Sequence, residues 1–181
     1  MHDPRAVANY ILDQGERCGR IFSNLALQKL LYFAHAISLV ENGKPLVNGY
    51  FEAWTYGPVH PIVNKAFKSY GAAPIVGRAK AFDPVMRLEK ELLPLKDSQS
   101  IAVCDRVVET LGLWSVGRLI ELTHAKGGPW DHVVTSAKTS SNIGLRIPDS
   151  IIVERHLNLK VVVGDTPKPG EPYEDAPYPG K

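Results

Sequence analysis

The chain has 181 residues, 44% of them hydrophobic and 22% charged, with a formal net charge of +2. That is the size of one compact domain with enough apolar surface for a core, and its longest apolar stretch, Leu25 to Leu31 broken by Gln28 and Lys29, is too short to span a bilayer. The basic residues are not gathered, Lys65, Lys68, Arg78 and Lys80 being the densest stretch, so the concentrated positive face that nucleic-acid binding uses is not announced.

Asp3 as N-cap and Pro4 at the first helical position open a helix to about Glu16, with Val7, Ala8, Ile11 and Leu12 on one stripe. A second helix is capped by Ser23 or Asn24, carries a stripe of Leu27, Leu30, Leu31, Ala34 and Ile37, and stops at Asn42-Gly43. From Pro45 to Tyr56 the texture turns aromatic, with Tyr50, Phe51, Trp54 and Tyr56 around Asn48-Gly49, which suits a loop or short strand pair. Gly57-Pro58 punctuates, and Pro61 starts a third helix with Ile62, Val63, Ala66, Phe67 and Tyr70 as its apolar positions, ended by Gly71. Between Ala72 and Leu95, Pro74, Pro84 and Pro94 interrupt the pattern and the assignment stays open; one helix over Pro84 to Leu93, with Met86 and Leu92 inward, fits there.

After Asp97 a helix runs to about Leu111 through Ile101, Cys104, Val107 and Val108, and Ser115 caps another that Lys126-Gly127-Gly128-Pro129 terminates. The stretch Ile147 to Val153 fits either a last helix or a strand leading to Val161-Val162-Val163. From Gly164 onward, five prolines and three glycines among scattered charges cannot bury enough to offset chain entropy, and a disordered tail is expected. Such a tail could order on a partner through Tyr173 and Tyr178, although a solvated, dispensable tail is favoured. The expected fold is mainly α: a compact bundle of about five to six helices over residues 1–163, with a short extended or β-like aromatic segment, and a Pro/Gly-rich tail over 164–181.

The motifs of chemistry are sparse. The six histidines, His2, His35, His60, His124, His132 and His156, are scattered without metal-ligand spacing, and neither a phosphate-binding glycine loop nor a nucleophile elbow occurs. Cys104 with His124 and Asp131 could be imagined as a thiol enzyme, but Cys104 falls on the apolar stripe of its own helix, where an inert buried thiol is the default. No metal or cofactor is expected. Two cysteines, Cys18 and Cys104, and an N-terminus Met1-His2-Asp3-Pro4-Arg5 without a basic and apolar leader pattern read as a reduced, cytoplasmic protein. Two aromatic stretches stand out, Phe51 to Pro61 and Thr123 to Trp130. Core placement is favoured for the first, and Trp130 could pack beside Trp54 or Trp114.

Leu27-Gln28-Lys29-Leu30-Leu31-Tyr32-Phe33-Ala34, then Phe51-Glu52-Ala53-Trp54 with Tyr56-Gly57-Pro58-Val59 and Pro61, then His124 with Pro129-Trp130, together resemble the Panacea domain of phage-associated proteins and SocA-type antitoxins. The resemblance runs from about Val7 to Trp130, and its specificity lies in the order and spacing of the three motifs. It implies a mostly helical, non-enzymatic module that binds and neutralises a cognate protein toxin and, in the SocA type, also acts as a proteolytic adaptor to the ClpXP protease. It brings no catalytic residues and no membrane partner, and it leaves the oligomeric state open. A DNA-binding autorepressor or another phage-associated interaction module is the alternative, and a Cys-dependent hydrolase a more remote one. The candidate partner-binding residues are Lys29, Tyr32, Trp54, Tyr56, Gly57, Pro58, Val59, His60, Pro61 and Trp130. Among them Lys29, Tyr56 and His60 are expected to be exposed contacts, with Leu30, Leu31 and Trp54 as scaffold.

Overall fold

The structure is a computed structural model that describes residues 1–137 and 145–156. It is mainly helical. Helices α1 (Pro4–Arg17), α2 (Asn24–Asn42), α3 (Pro61–Phe67), α4 (Ser98–Leu111), α5 (Val116–Thr123), α6 (Pro129–Ala137) and α7 (Asp149–Arg155) are accompanied by two small sheets. One sheet has the order β2 (Gly57–Val59), β1 (Phe51–Trp54), β5 (Arg146–Ile147), all antiparallel; the other is a hairpin of β3 (Lys80–Asp83) and β4 (Leu88–Glu91).

The helix starts are set by local chemistry legible in the chain. The Asp3 carboxylate accepts the Arg5 N–H at 2.9 Å ahead of Pro4, Ser23 Oγ accepts from Ala26 N at 3.3 Å, and Asp97 Oδ1 accepts from Gln99 and Ser100 at 3.2 and 3.3 Å. Gly43 ends α2 in the left-handed conformation at φ 63°, a backbone that costs glycine nothing.

The architecture is organised around α2, which packs against α1, α3, α4, α5, α7 and β2. The expected single stripe understates it: every residue from Asn24 to Ala36 is buried, whereas Ile37 is only partly so. A helix enclosed on all sides must satisfy its polar residues internally. Gln28 Nε2 donates to Asn24 Oδ1 at 3.2 Å and Asn24 Nδ2 to Asn64 Oδ1 at 2.7 Å, while Gln28 Oε1 accepts the backbone N–H of His60 at 2.9 Å. This polar ladder fixes the junction of β2 and α3 onto α2.

Elsewhere the chain departs from expectation in definite ways. Residues 84–93 are not a helix: Asp83 Oδ1 accepts the N–H groups of Val85 and Met86 at 3.0 Å each, closing a turn between β3 and β4, and Met86 is 62% exposed rather than inward. In α3 only Val63 and Phe67 are buried; Ile62 and Ala66 face water, and Lys68–Tyr70 tightens into a 3-10 turn. The glycines at 127 and 128 lead directly into α6, where the Asp131 carboxylate in the first turn accepts the Gly127 N–H at 2.8 Å. The choice left open at Ile147 is resolved as both, a short strand β5 followed by α7. The tail 164–181 and Val161 to Val163 lie outside the described residues. No helix among the described residues is long and apolar enough to cross a membrane.

Asp97 joins the N-terminus to α4, because the His2 ring donates from Nε2 to its Oδ2 at 3.0 Å while Oδ1 caps the helix. The Asp97→Ala variant is expected to lose about 1 kcal/mol of unfolding free energy, measured as a lowered urea midpoint at unchanged slope, with Asp97→Asn losing less.

Candidate functional site

The residues that carry the sequence signature converge, from four separate elements, on the side chain of Lys29 in the middle of α2. Its ammonium donates to the Pro58 carbonyl at 3.2 Å, and the residue has no solvent exposure. A buried ammonium is costly unless hydrogen-bonded, so the β2 backbone is held against α2 at this point. Gly57 passes over it at φ 102°: a Cβ built there would lie 2.5 Å from Thr123 Oγ1 and 3.2 Å from Lys29 Nζ. Glycine is therefore required both by its backbone angle and by the approach of α5 and α2.

Thr123 ends α5, fully buried, with its hydroxyl donating to the Ile120 carbonyl at 2.8 Å. The next residue, His124, stacks on the Trp130 indole with centroids 3.8 Å apart and an interplanar angle of 18°. Trp130 in turn donates from Nε1 to the Trp54 carbonyl at 2.9 Å, so of its two expected neighbours, Trp54 and Trp114, it engages Trp54, through the backbone carbonyl. Trp54 is partly buried, its own indole donating to Glu52 Oε2 at 2.8 Å. The α5–α6 corner is thereby bolted to the β1–β2 turn.

Placing each expected contact residue in this frame changes the reading of two of them. Lys29 and His60 are not exposed contacts: Lys29 is fully enclosed and His60 is 1% exposed, with its Nε2 donating to the Asn48 carbonyl at 2.9 Å and its ring edge-on to Phe51. The physical reason is that α2 is central, so Lys29 points into neighbours rather than water, and His60 sits in the β2–α3 junction that Gln28 holds against α2. Tyr32 is likewise fully buried, edge-on to Phe33 and Phe51, and burial pushes its phenol well above the usual range. Gly57, Pro58 and Val59 are buried, Trp130 nearly so, and Leu30 and Leu31 are core as expected. Tyr56 and Pro61 remain partly open to solvent. The residues missed in the sequence are Gln28 and Thr123, which hold the same cluster; a glutamine inside an apolar run was the one visible signal for the first, and a threonine at a helix end gave none.

The electrostatics of the cluster suit structure. Burial lowers the affinities of His35, His60 and His124 for a proton, and for His124, where the nearby Lys29 charge adds to burial and Asp131 opposes it, the pKa falls to about 4. His35 accepts the Val47 N–H at Nδ1, 3.4 Å, and donates from Nε2 to Asp149 at 3.1 Å, which clasps α7 onto α2 with a neutral ring. Cys104 has no exposure, and burial pushes its thiol up to about 12, the opposite of what a thiolate nucleophile needs. Among the described residues no group of acidic, histidine and cysteine side chains could hold a metal ion. A shallow cleft of about 310 Å³ lined by Arg20, Ile21, Phe22, Pro74, Trp114 and Val116 lies away from the signature cluster.

Two outcomes follow from this geometry. Gly57→Ala is expected to destabilise the chain by about 2–3 kcal/mol, read as a lowered denaturation midpoint, because the new methyl meets Thr123 and the backbone angle resists it. Acid acts in a definite direction. A histidine with a folded pKa below its unfolded value must charge on unfolding, so stability is complete above about pH 6.5 and falls as pH drops. For His124 the window runs from 6.5 to about 4 and amounts to about 3 kcal/mol. Urea midpoints measured between pH 7.5 and 5 should fall, and less steeply in His124→Gln.

Residues 27–131, more than half of the chain and the stretch that contains the whole Lys29 cluster, match the family model described as Antitoxin SocA-like, Panacea domain. Over 175 residues the chain is 44% identical to Antitoxin SocA of Caulobacter vibrioides (strain NA1000 / CB15N), covering 97% of this chain and 93% of that protein. No solved structure matches. With its three motifs folded into one buried cluster and its length matched nearly end to end, the chain belongs to the SocA-like antitoxins of the Panacea domain family.

Proposed function

We propose that the chain neutralises a cognate protein toxin by direct, non-enzymatic binding and delivers it to the ClpXP protease as an adaptor. The observation that carries the reading is the 44% identity to an antitoxin across 97% of the chain. The physical features agree with it. The one candidate thiol nucleophile is enclosed with a raised pKa, and the histidine cast as its base is held neutral against Trp130. The signature residues form a rigid frame, and a binder whose frame is already ordered loses less entropy when its partner docks.

Neutralisation by binding and removal by proteolysis are separable. Co-expression with the product of the adjacent reading frame is expected to restore growth, and the half-life of that product is expected to shorten several-fold only in cells that contain ClpXP. Growth restored with an unchanged half-life removes the adaptor role and leaves the binding role. An adjacent product that is harmless on its own removes the antitoxin reading.

A further inference from the structure

The β3–β4 hairpin stands apart from the helical body and takes no part in the Lys29 cluster. Its two strands pair only with each other among the described residues. Its base is tied to α1: Arg5 Nη1 donates to the Lys80 carbonyl at 3.1 Å, and Asn9 exchanges two hydrogen bonds of 2.8 Å with the Ala79 backbone. Its tip is shaped by the Asp83 turn and by Arg87 at φ 52°.

Beyond that base the apolar side chains face water. Phe82 is 64% exposed, Val85 87%, Met86 62% and Leu88 58%. Lys80 lies 3.7 and 3.6 Å from Glu89 and Glu91 and Lys90 pairs with Asp83, and with Arg87 included the charges of residues 80–91 sum to zero. The register puts Phe82 on one face of the hairpin, opposite Glu89, and Leu88 on the other, opposite Asp83, with Val85 and Met86 in the turn between them, so both faces and the tip carry exposed apolar side chains. A two-stranded hairpin has little stability of its own in water, and exposed apolar side chains gathered at such a tip mark a surface that is covered in use.

We propose that this hairpin is the prong by which the chain enters an apolar cleft on its protein toxin, an inference that rests on the antitoxin reading above. Its exposed apolar surface is of the order of several hundred Å², short of the roughly 800 Å² per partner that a standard stable dimer buries. The hairpin also carries its apolar residues on both faces, so the single self-complementary patch of a two-fold dimer would cover only one of them. A small tip that is apolar on both faces fits a cleft, where a few anchoring side chains supply most of the binding energy. With the charges of the hairpin summing to zero, the tip favours an uncharged cleft over a charged surface.

The test uses the full chain and the toxin from the adjacent reading frame, measured by titration calorimetry and by growth rescue. The double variant Val85→Glu with Met86→Glu alters only exposed turn side chains and should keep the wild-type circular dichroism and melting temperature. It is expected to bind at least about 100-fold more weakly and to lose rescue, while Leu113→Glu, a change at a residue 71% exposed elsewhere on the surface, binds as wild type. If wild type binds and the double variant binds equally well, the prong is overturned and the antitoxin reading stands. If wild type itself does not bind, that reading fails and the prong with it. Light scattering that shows a wild-type dimer dissolved by the double variant assigns the tip to a second copy and overturns the proposal. Oxidation of the Met86 thioether by dilute peroxide in the free full chain that is much slower than that of the exposed Met1 assigns it to a cover from the chain itself and overturns it equally.

Discussion

A lysine with no exposure to water, in the centre of the most enclosed helix, is the constraint on which the rest of the structure depends. Removing the Lys29 ammonium from water is expensive, and the Pro58 carbonyl at 3.2 Å recovers part of that cost only if β2 lies in one place. That placement brings the Gly57 backbone so close to α2 and α5 that a side chain there has no room. The same neighbourhood seats Thr123, and the stack of His124 on Trp130 and the bond from Trp130 to the Trp54 carbonyl follow one residue after another. Four elements distant in sequence are thereby locked by contacts that each require a particular residue type.

A second, independent polar chain works beside it. Gln28, the neighbour of Lys29, reaches the His60 N–H that precedes α3, and through Asn24 reaches Asn64 inside that helix. Buried networks of this kind are stable when every member is satisfied and damaging when one is lost, so they fix a single arrangement more than they add net stability. The functional consequence is a division of labour. Most of the family signature is enclosed in the frame, with Trp54, Tyr56 and Pro61 partly open, and we propose that the surfaces a partner meets lie largely on elements outside it. The hairpin tied to α1 through Arg5 and Asn9 is one such element.

How much was legible in the sequence follows from the range of the forces involved. Caps are local, so Asp3, Ser23, Asp97 and Ser115 could be read as helix starts and Gly43 as a stop, and each sits in that role. The aromatic segment around Phe51 was legible as extended chain because turn residues bracket it. By contrast, the direction a polar side chain faces is decided by what packs over it. Lys29 and His60 look like surface residues in a linear reading; Lys29 becomes interior because α2 is surrounded, and His60 because its junction packs onto α2 and its ring bonds the Asn48 carbonyl. The hairpin at 80–91 was hidden by three prolines and by an Asp83 turn whose partners are backbone groups, and α6 was hidden because a glycine pair that ends one helix also leads into the next through Asp131. Cys104, Val107 and Val108 lie in the core where helical periodicity places them, whereas Ile101 and Leu111 at the ends of the same stripe are only partly buried.

The most direct measurement of the central claim, that the signature is frame and not contact surface, is the pair of values obtained from Lys29→Ala: its unfolding free energy by urea titration and the toxin affinity of its folded fraction. Loss of the buried side chain leaves a cavity and an unpaired Pro58 carbonyl, so the account predicts a stability loss of about 3 kcal/mol with the affinity of the folded protein unchanged. A variant as stable as wild type that no longer binds the toxin would place Lys29 in the contact surface and contradict the account.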